Sequence, residues 1–237
     1  MPVRTALPVA SFGVLGGLLM AGIVIPGIVW ERNQQGWKDQ FPVARQSLTD
    51  VGSAPFWSLD AGTVATLKGG ATVLVITVLD QTEMVDGVRT RIVEERETEA
   101  GKLIEVSRNY FALHPPTGDV YYFGESVNMY KDGKITGHEG SWRSGENGAR
   151  FGLFVPGKAA VGAKYYQEFA PKVAMDRAEI VSVTDSVKTG VGSHASCVRT
   201  RETTPLEPGV TEWKRYCPGI GLAEDGELRL VSLTRRK

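Results

Sequence analysis

The sequence predicts an all-β protein: an antiparallel up-and-down meander forming a curved sheet, half-barrel or barrel, preceded by one N-terminal transmembrane helix. Three observations predict it. Runs of β-branched residues recur at intervals of about 12 to 16 residues, turn dipeptides separate them, and residues 5–30 carry no charge. No amphipathic helical stretch alternates with the strand-like runs, which argues against a parallel α/β sheet.

The first element is the charge-free segment of residues 5–30. At about 1.5 Å per helical residue it exceeds the roughly 30 Å hydrocarbon core of a bilayer, so it is long enough to span. Arg4 precedes it, Glu31 and Arg32 cancel just after it, and Trp30 stands at the expected interface. The positive-inside rule then keeps the N-terminus cytoplasmic and sends the rest outward. The alternative is a cleaved signal peptide. Leu19-Met20-Ala21 lacks the small first residue such a site wants, although the domain is exported on either reading. Residues 1–30 are therefore read as a signal anchor, 31–54 as a stalk or short helix, and 55–237 as an extracytoplasmic β-domain. The expected localisation is membrane-anchored, or secreted if the segment is cleaved.

Within the domain, Thr72 to Leu79 is a β-branched strand, and Asp86-Gly87 is a hairpin signal leading to Val88 through Glu95. Ala100-Gly101 turns into Leu103 to Leu113, and Pro115 to Asp119 turns into Val120 to Phe123, with Asp132-Gly133 marking the next reversal. Further strands are read at 151–155, 164–169, 177–183, 196–203, 210–217 and 227–233. Between Gly137 and Gly152 lies a glycine-rich excursion, too long for a tight turn and suited to irregular, functional backbone.

The two cysteines, Cys197 and Cys217, flank a turn-rich stretch from Thr204 to Gly209. A hairpin centred near Glu207 places them opposite each other and predicts a disulfide, whereas a metal or redox pair would want a C-x-x-C spacing.

Composition excludes some functions. Lys plus Arg and Asp plus Glu both total 27, so there is no cationic surplus for nucleic acid. His138-Glu139 begins like a zinc-protease motif, but Trp142 stands where the second histidine belongs. The three histidines show no metal-ligand spacing, and there is no nucleophile elbow, P-loop or dinucleotide fingerprint, so no metal, cofactor or catalytic residue is expected. What stands out is a set of glutamates among aromatics and glycines: Glu125, Glu139, Glu168, Glu202 and Glu212. Glutamate is depleted from strands, so its place there invites a reason. Either these side chains point into the barrel beside Tyr122 and Trp142, with Arg201 or Lys214 as counter-ions, or they alternate outward along half-solvated strands and pair with Arg199, Lys214 and Arg215. The candidate ligand-binding set is Tyr122, Glu125, Glu139, Trp142, Glu168, Arg201 and Glu202.

From Pro55 to Leu233 the chain resembles a family of secreted or membrane-anchored bacterial β-domain proteins. The resemblance rests on Pro55 to Thr63, on Gly118 to Glu125 with its Tyr121-Tyr122-Phe123-Gly124-Glu125 core, on Gly140-Ser141-Trp142, on Tyr166-Gln167-Glu168, on Arg201 to Val210 and on Tyr216 to Leu222. It implies the fold and export and assigns no reaction. Two positions depart from the family pattern, Cys217 for a small residue and Pro115-Pro116 for a more polar turn. Three functions are thus expected as rivals: a non-catalytic module binding a small or apolar ligand, including a lipid, in the concavity of the sheet; an envelope scaffold engaging a protein partner; and a carboxylate-dependent hydrolase.

Overall fold

The computed structural model describes residues 36–235. The expected anchor and its alternative, a cleaved leader, lie outside the described residues. Among the described residues no helix is long and apolar enough to cross a membrane.

The domain is all-β and antiparallel. β1 (Val64–Gly69), β2 (Thr72–Val85), β3 (Val88–Glu99), β4 (Lys102–His114) and β5 (Asp119–Lys131) follow one another as neighbours. The hairpins between them use the dipeptides legible in the sequence: Asp86-Gly87, Ala100-Gly101 and, after β5, Asp132-Gly133 all have positive φ at both positions. That geometry matches the twist of the flanking strands. β6 (Lys134–Gly137) and β7 (Trp142–Arg143) both pair with β5, so the glycine-rich excursion folds back onto that strand. β8 (Arg150–Val155), β9 (Lys164–Tyr166), β10 (Glu168–Phe169), β11 (Arg177–Thr189), β12 (Gly192–Thr203), β13 (Glu212–Cys217), β14 (Gly221–Asp225) and β15 (Leu228–Thr234) complete the sheet, and β15 returns to pair with β1.

The segment 164–169, expected as one strand, is divided at Gln167. Its first half, β9, pairs with β11, and its second half, β10, pairs with β8. These are the two ends of the strand order, so one continuous piece of chain brings both edges of the sheet together and nearly closes it as a barrel. The approach is tight: a Cβ on Gly152 of β8 would lie 2.2 Å from the Gln167 carbonyl oxygen, so only glycine fits.

Residues 36–54, expected as a stalk or short helix, contribute one 3-10 turn (Arg45–Ser47) and otherwise run extended against the barrel. Phe41 is buried, Lys38 bridges Tyr165 and Thr49 bridges Leu113. Asp50, also buried, is ion-paired with Arg91 at 3.1 Å and Arg89 at 2.9 Å. Trp57 then packs edge-on against Phe154 at 4.8 Å between centroids and lies 5.8 Å from Phe111. Phe154 also meets Tyr216 at 5.9 Å and Phe111 at 4.8 Å. These rings come from β4, β8, β13 and the segment before β1, so the aromatic centre joins opposite walls. A barrel this wide cannot be filled by one layer of wall residues alone, and the inserted Trp57 supplies part of what is missing.

Cys197 and Cys217 form a disulfide, with Cα atoms 4.2 Å apart. The register on either side, Val198 with Tyr216 and Glu202 with Glu212, is centred on Glu207 as the turn composition predicts. Closing that loop is worth about 3 kcal/mol of chain entropy. The bridge sits in a small apolar cluster with Val187 and Ala223, separate from the main core.

Candidate functional site: buried carboxylates and two cavities

Strand alternation decides where the glutamates go. On β12 the residues Val198, Thr200 and Glu202 are buried, while Arg199 and Arg201 on the other face are not. The same period places Lys214 and Tyr216 of β13 with them, together with Asp225 of β14, the cross-strand neighbour of Lys214. On β3, Glu95 and Glu97 follow the buried Val93 at two-residue steps, and Glu105 and Asn109 on β4 are likewise buried. Glu125 of β5, paired with Asn109, and Glu168 of β10 are each 1 % exposed.

The interior therefore holds carboxylates in excess of cations. Lys214 Nζ lies 3.4 Å from Glu202 Oε2 and 3.5 Å from Asp225 Oδ2. Glu202 also accepts from Thr200 Oγ1 at 2.9 Å and from Gln167 Nε2 at 3.4 Å. Burial alone would discharge Lys214, but Asp225 and Glu202 outweigh it and hold its affinity for a proton well above the ordinary lysine range. Other groups in the cluster are pushed the opposite way from ordinary carboxylates. Burial raises Glu95 to about 8 despite the attraction of Lys214, and it raises Glu212 to about 8 as well. Asp176 and Asp225 rise to about 6 for the same reason. Glu125 and Glu168 rise well above the usual range, first through burial and then through other carboxylates; the first of these is Glu168 for Glu125 and Asp176 for Glu168.

Tyr122 links this cluster to the aromatic centre. Its ring stacks on Phe111 at 4.7 Å and meets Trp142 edge-on at 5.5 Å. Its hydroxyl donates to Asn109 Oδ1 at 2.5 Å and also hydrogen-bonds the adjacent Glu125 side chain; burial first, and then the surrounding carboxylates, push it well above the usual tyrosine range.

Of the seven candidate ligand-binding residues, Tyr122, Glu125, Trp142, Glu168 and Glu202 are buried within the barrel. Two, Arg201 and Glu139, lie outside the barrel interior. Arg201 points outward and pairs with Glu179 at 2.5 Å, because it lies on the face of β12 opposite the buried Thr200 and Glu202. Glu139 is exposed in the turn between β6 and β7. Sequence reasoning passed over Glu95, Asp176 and Asp225. Only the two-residue step from Val93 to Glu95 could have signalled any of them.

Among the described residues, two cavities bear on this interior. The first, about 220 Å³, opens at the barrel rim and is lined largely by apolar side chains. Ala65, Ile76 and Leu233 are cross-strand neighbours on β1, β2 and β15, and Val78 and Leu222 extend the same surface. Trp57 forms part of its wall, and the indole nitrogen of Trp57 is buried without a hydrogen-bond partner. Ser53, Ser58 and Arg235 stand among its polar lining. The second cavity, about 200 Å³, is more polar and lies between β5, the excursion around β7 and residues 170–173; its lining includes Glu125 and Trp142. Among the described residues no group of three histidine, cysteine or acidic side chains is arranged to hold a metal ion. Comparison with protein-family models, with curated proteins and with solved structures returns no match.

Proposed function

We propose that the domain is a non-catalytic binding module whose ligand is a short acyl chain with a carboxylate or carbonyl head, seated in the rim cavity of the barrel. One observation carries this reading: an apolar cavity of about 220 Å³, open to the outside and lined by Trp57, Ala65, Ile76, Val78, Leu222 and Leu233. The volume lies below the roughly 300–1,000 Å³ of drug-sized pockets and so suits a short chain. Arg235 and the hydroxyls of Ser53 and Ser58 supply polar groups for the head. Catalysis by paired glutamates fits less well, because of Glu125, Glu139, Glu168 and Glu202 only Glu125 lines either of the two cavities. An extracytoplasmic position beside the membrane, which residues 5–30 suggest, would put such a module next to a source of acyl chains.

Hexanoate titrated into the methyl-labelled full-length chain tests this. The Ile76 and Ile220 methyl resonances are expected to shift saturably, and Ala65→Phe, which fills the cavity, is expected to weaken binding at least tenfold. Shifts that never saturate, or that persist undiminished in Ala65→Phe, would remove the ligand from this cavity.

A further inference from the structure

Outside the barrel, one face is cationic although the chain as a whole carries no net charge. Cross-strand pairing sets Lys164 of β9, Glu179 of β11, Arg201 of β12 and Trp213 of β13 in one row. At the usual strand spacing of about 4.8 Å the row is about 14 Å long. Glu179 is shared by Arg201 at 2.5 Å and Lys164 at 3.7 Å. Asp185 is shared by Arg215 at 2.8 Å and Arg199 at 3.8 Å, while Glu224 is shared by Arg215 and Arg229. Five cations thus divide three carboxylates among them. Trp213, 44 % exposed, stands among the arginines: Arg201 is its cross-strand neighbour, and Arg199 lies 5.0 Å from its ring centroid. The chain enters the domain at the other end of the row, where the Trp37 ring lies 4.4 Å from Arg177 and 5.8 Å from Lys164.

We propose that this face docks on a bilayer surface containing anionic lipid, with the Trp213 indole in the headgroup layer and Lys164, Arg199, Arg201 and Arg215 against the lipid phosphates. A tryptophan ring is amphipathic and settles at the membrane–water interface. Basic side chains are drawn to the negative surface potential of an anionic leaflet, and a guanidinium matches two phosphate oxygens at once. A protein partner fits less well: the centre of such an interface is depleted of charge, whereas Trp213 is flanked by arginines. The chain from Trp30 to Trp37 reaches at most about 25 Å. A bilayer segment at residues 5–30, the reading on which this placement rests, therefore keeps the row near the lipid surface. None of these side chains lines the rim cavity, so the docking is separate from ligand binding there.

The test mixes the full-length chain with vesicles of phosphatidylcholine, with or without phosphatidylglycerol, whose acyl chains are brominated to quench tryptophan. The Trp213 emission is taken as the difference between the unmodified chain and Trp213→Phe. Its quenching is expected to be at least twofold greater with phosphatidylglycerol than without. The excess is expected to vanish in molar sodium chloride and in the double variant Arg199→Gln, Arg201→Gln. Salt reversal is read on the unmodified chain and so does not depend on how well a variant folds. Flotation with phosphatidylcholine alone reports residues 5–30 separately. A chain that floats there without any phosphatidylglycerol-dependent quenching keeps its anchor and loses the docking face. One that floats only with phosphatidylglycerol, with Trp213 quenched, has the docking face without the anchor, and one that floats with neither has lost both. Quenching that is equal in the two lipids, or undiminished by salt or in the double variant, would also overturn the proposal.

Discussion

Replacing Lys214 by methionine is expected to destabilise the domain by about 3–5 kcal/mol, the cost of leaving buried carboxylates without their shared cation. Lys214 is 2 % exposed in its side chain and sits between Glu202 and Asp225, which are themselves 7 % and 3 % exposed. Methionine has similar length and no charge, so the loss is electrostatic and not a cavity effect. The combined change Lys214→Met, Glu202→Gln, Asp225→Asn is expected to recover most of the loss, because the charges vanish together. Denaturant unfolding measures both. A loss below 1 kcal/mol in the single variant would show that Lys214 is not the cation on which the cluster depends.

The same cluster makes stability fall as pH rises. Glu95 binds its proton up to about pH 8 in the folded chain, against 4.5 for the ordinary side chain. Between those values the folded state holds a proton that the unfolded state has released. Stability therefore declines by about 1.4 kcal/mol per pH unit for each such group across its window. Glu212 follows the same window, while Asp176 and Asp225 act between 3.8 and about 6. Opposing them, Asp185 on the outer surface is held below its usual range, by hydrogen bonds from Ser182 and Arg215 that outweigh its slight burial, and loses its contribution only in strong acid. The melting temperature is accordingly expected to be higher at pH 5.5 than at pH 8.5, with Glu95→Gln flattening the slope. A maximum at pH 8 or above would contradict this assignment.

Much of the fold was legible because its hairpins are local. Asp86-Gly87, Ala100-Gly101 and Asp132-Gly133 fix three reversals by backbone chemistry alone, and the composition around Glu207 fixed the register that joins the cysteines. β1 and β14 were missed: Val64–Gly69 mixes lysine and glycine into a short run, and Gly221–Asp225 ends in two acids. Closure of the barrel was out of reach, since it depends on Gln167 dividing one extended segment between two distant strands. The site shows the same pattern. Alternation on β12 separated Glu202 from Arg201, yet the pattern alone did not say which face was inside, because neither is wholly apolar. Glu125 and Glu168 entered the set for their unusual surroundings. Glu95 escaped notice because Val93-Glu94-Glu95 reads as the end of an exposed strand; only a barrel wide enough to keep polar side chains inside turns that position inward.

The central claim is that Glu95 and Glu125 in the interior stay protonated at neutral pH because burial, with repulsion from other carboxylates, outweighs any attraction from Lys214. Carbon-13 NMR of the glutamate side-chain carboxyls, assigned with Glu95→Gln and Glu125→Gln, reads this directly. At pH 7 the Glu95 and Glu125 carbons are predicted to resonate as protonated acids, apart from the surface glutamates. Finding both at the carboxylate position, and unchanged on further alkalinisation, would contradict the account.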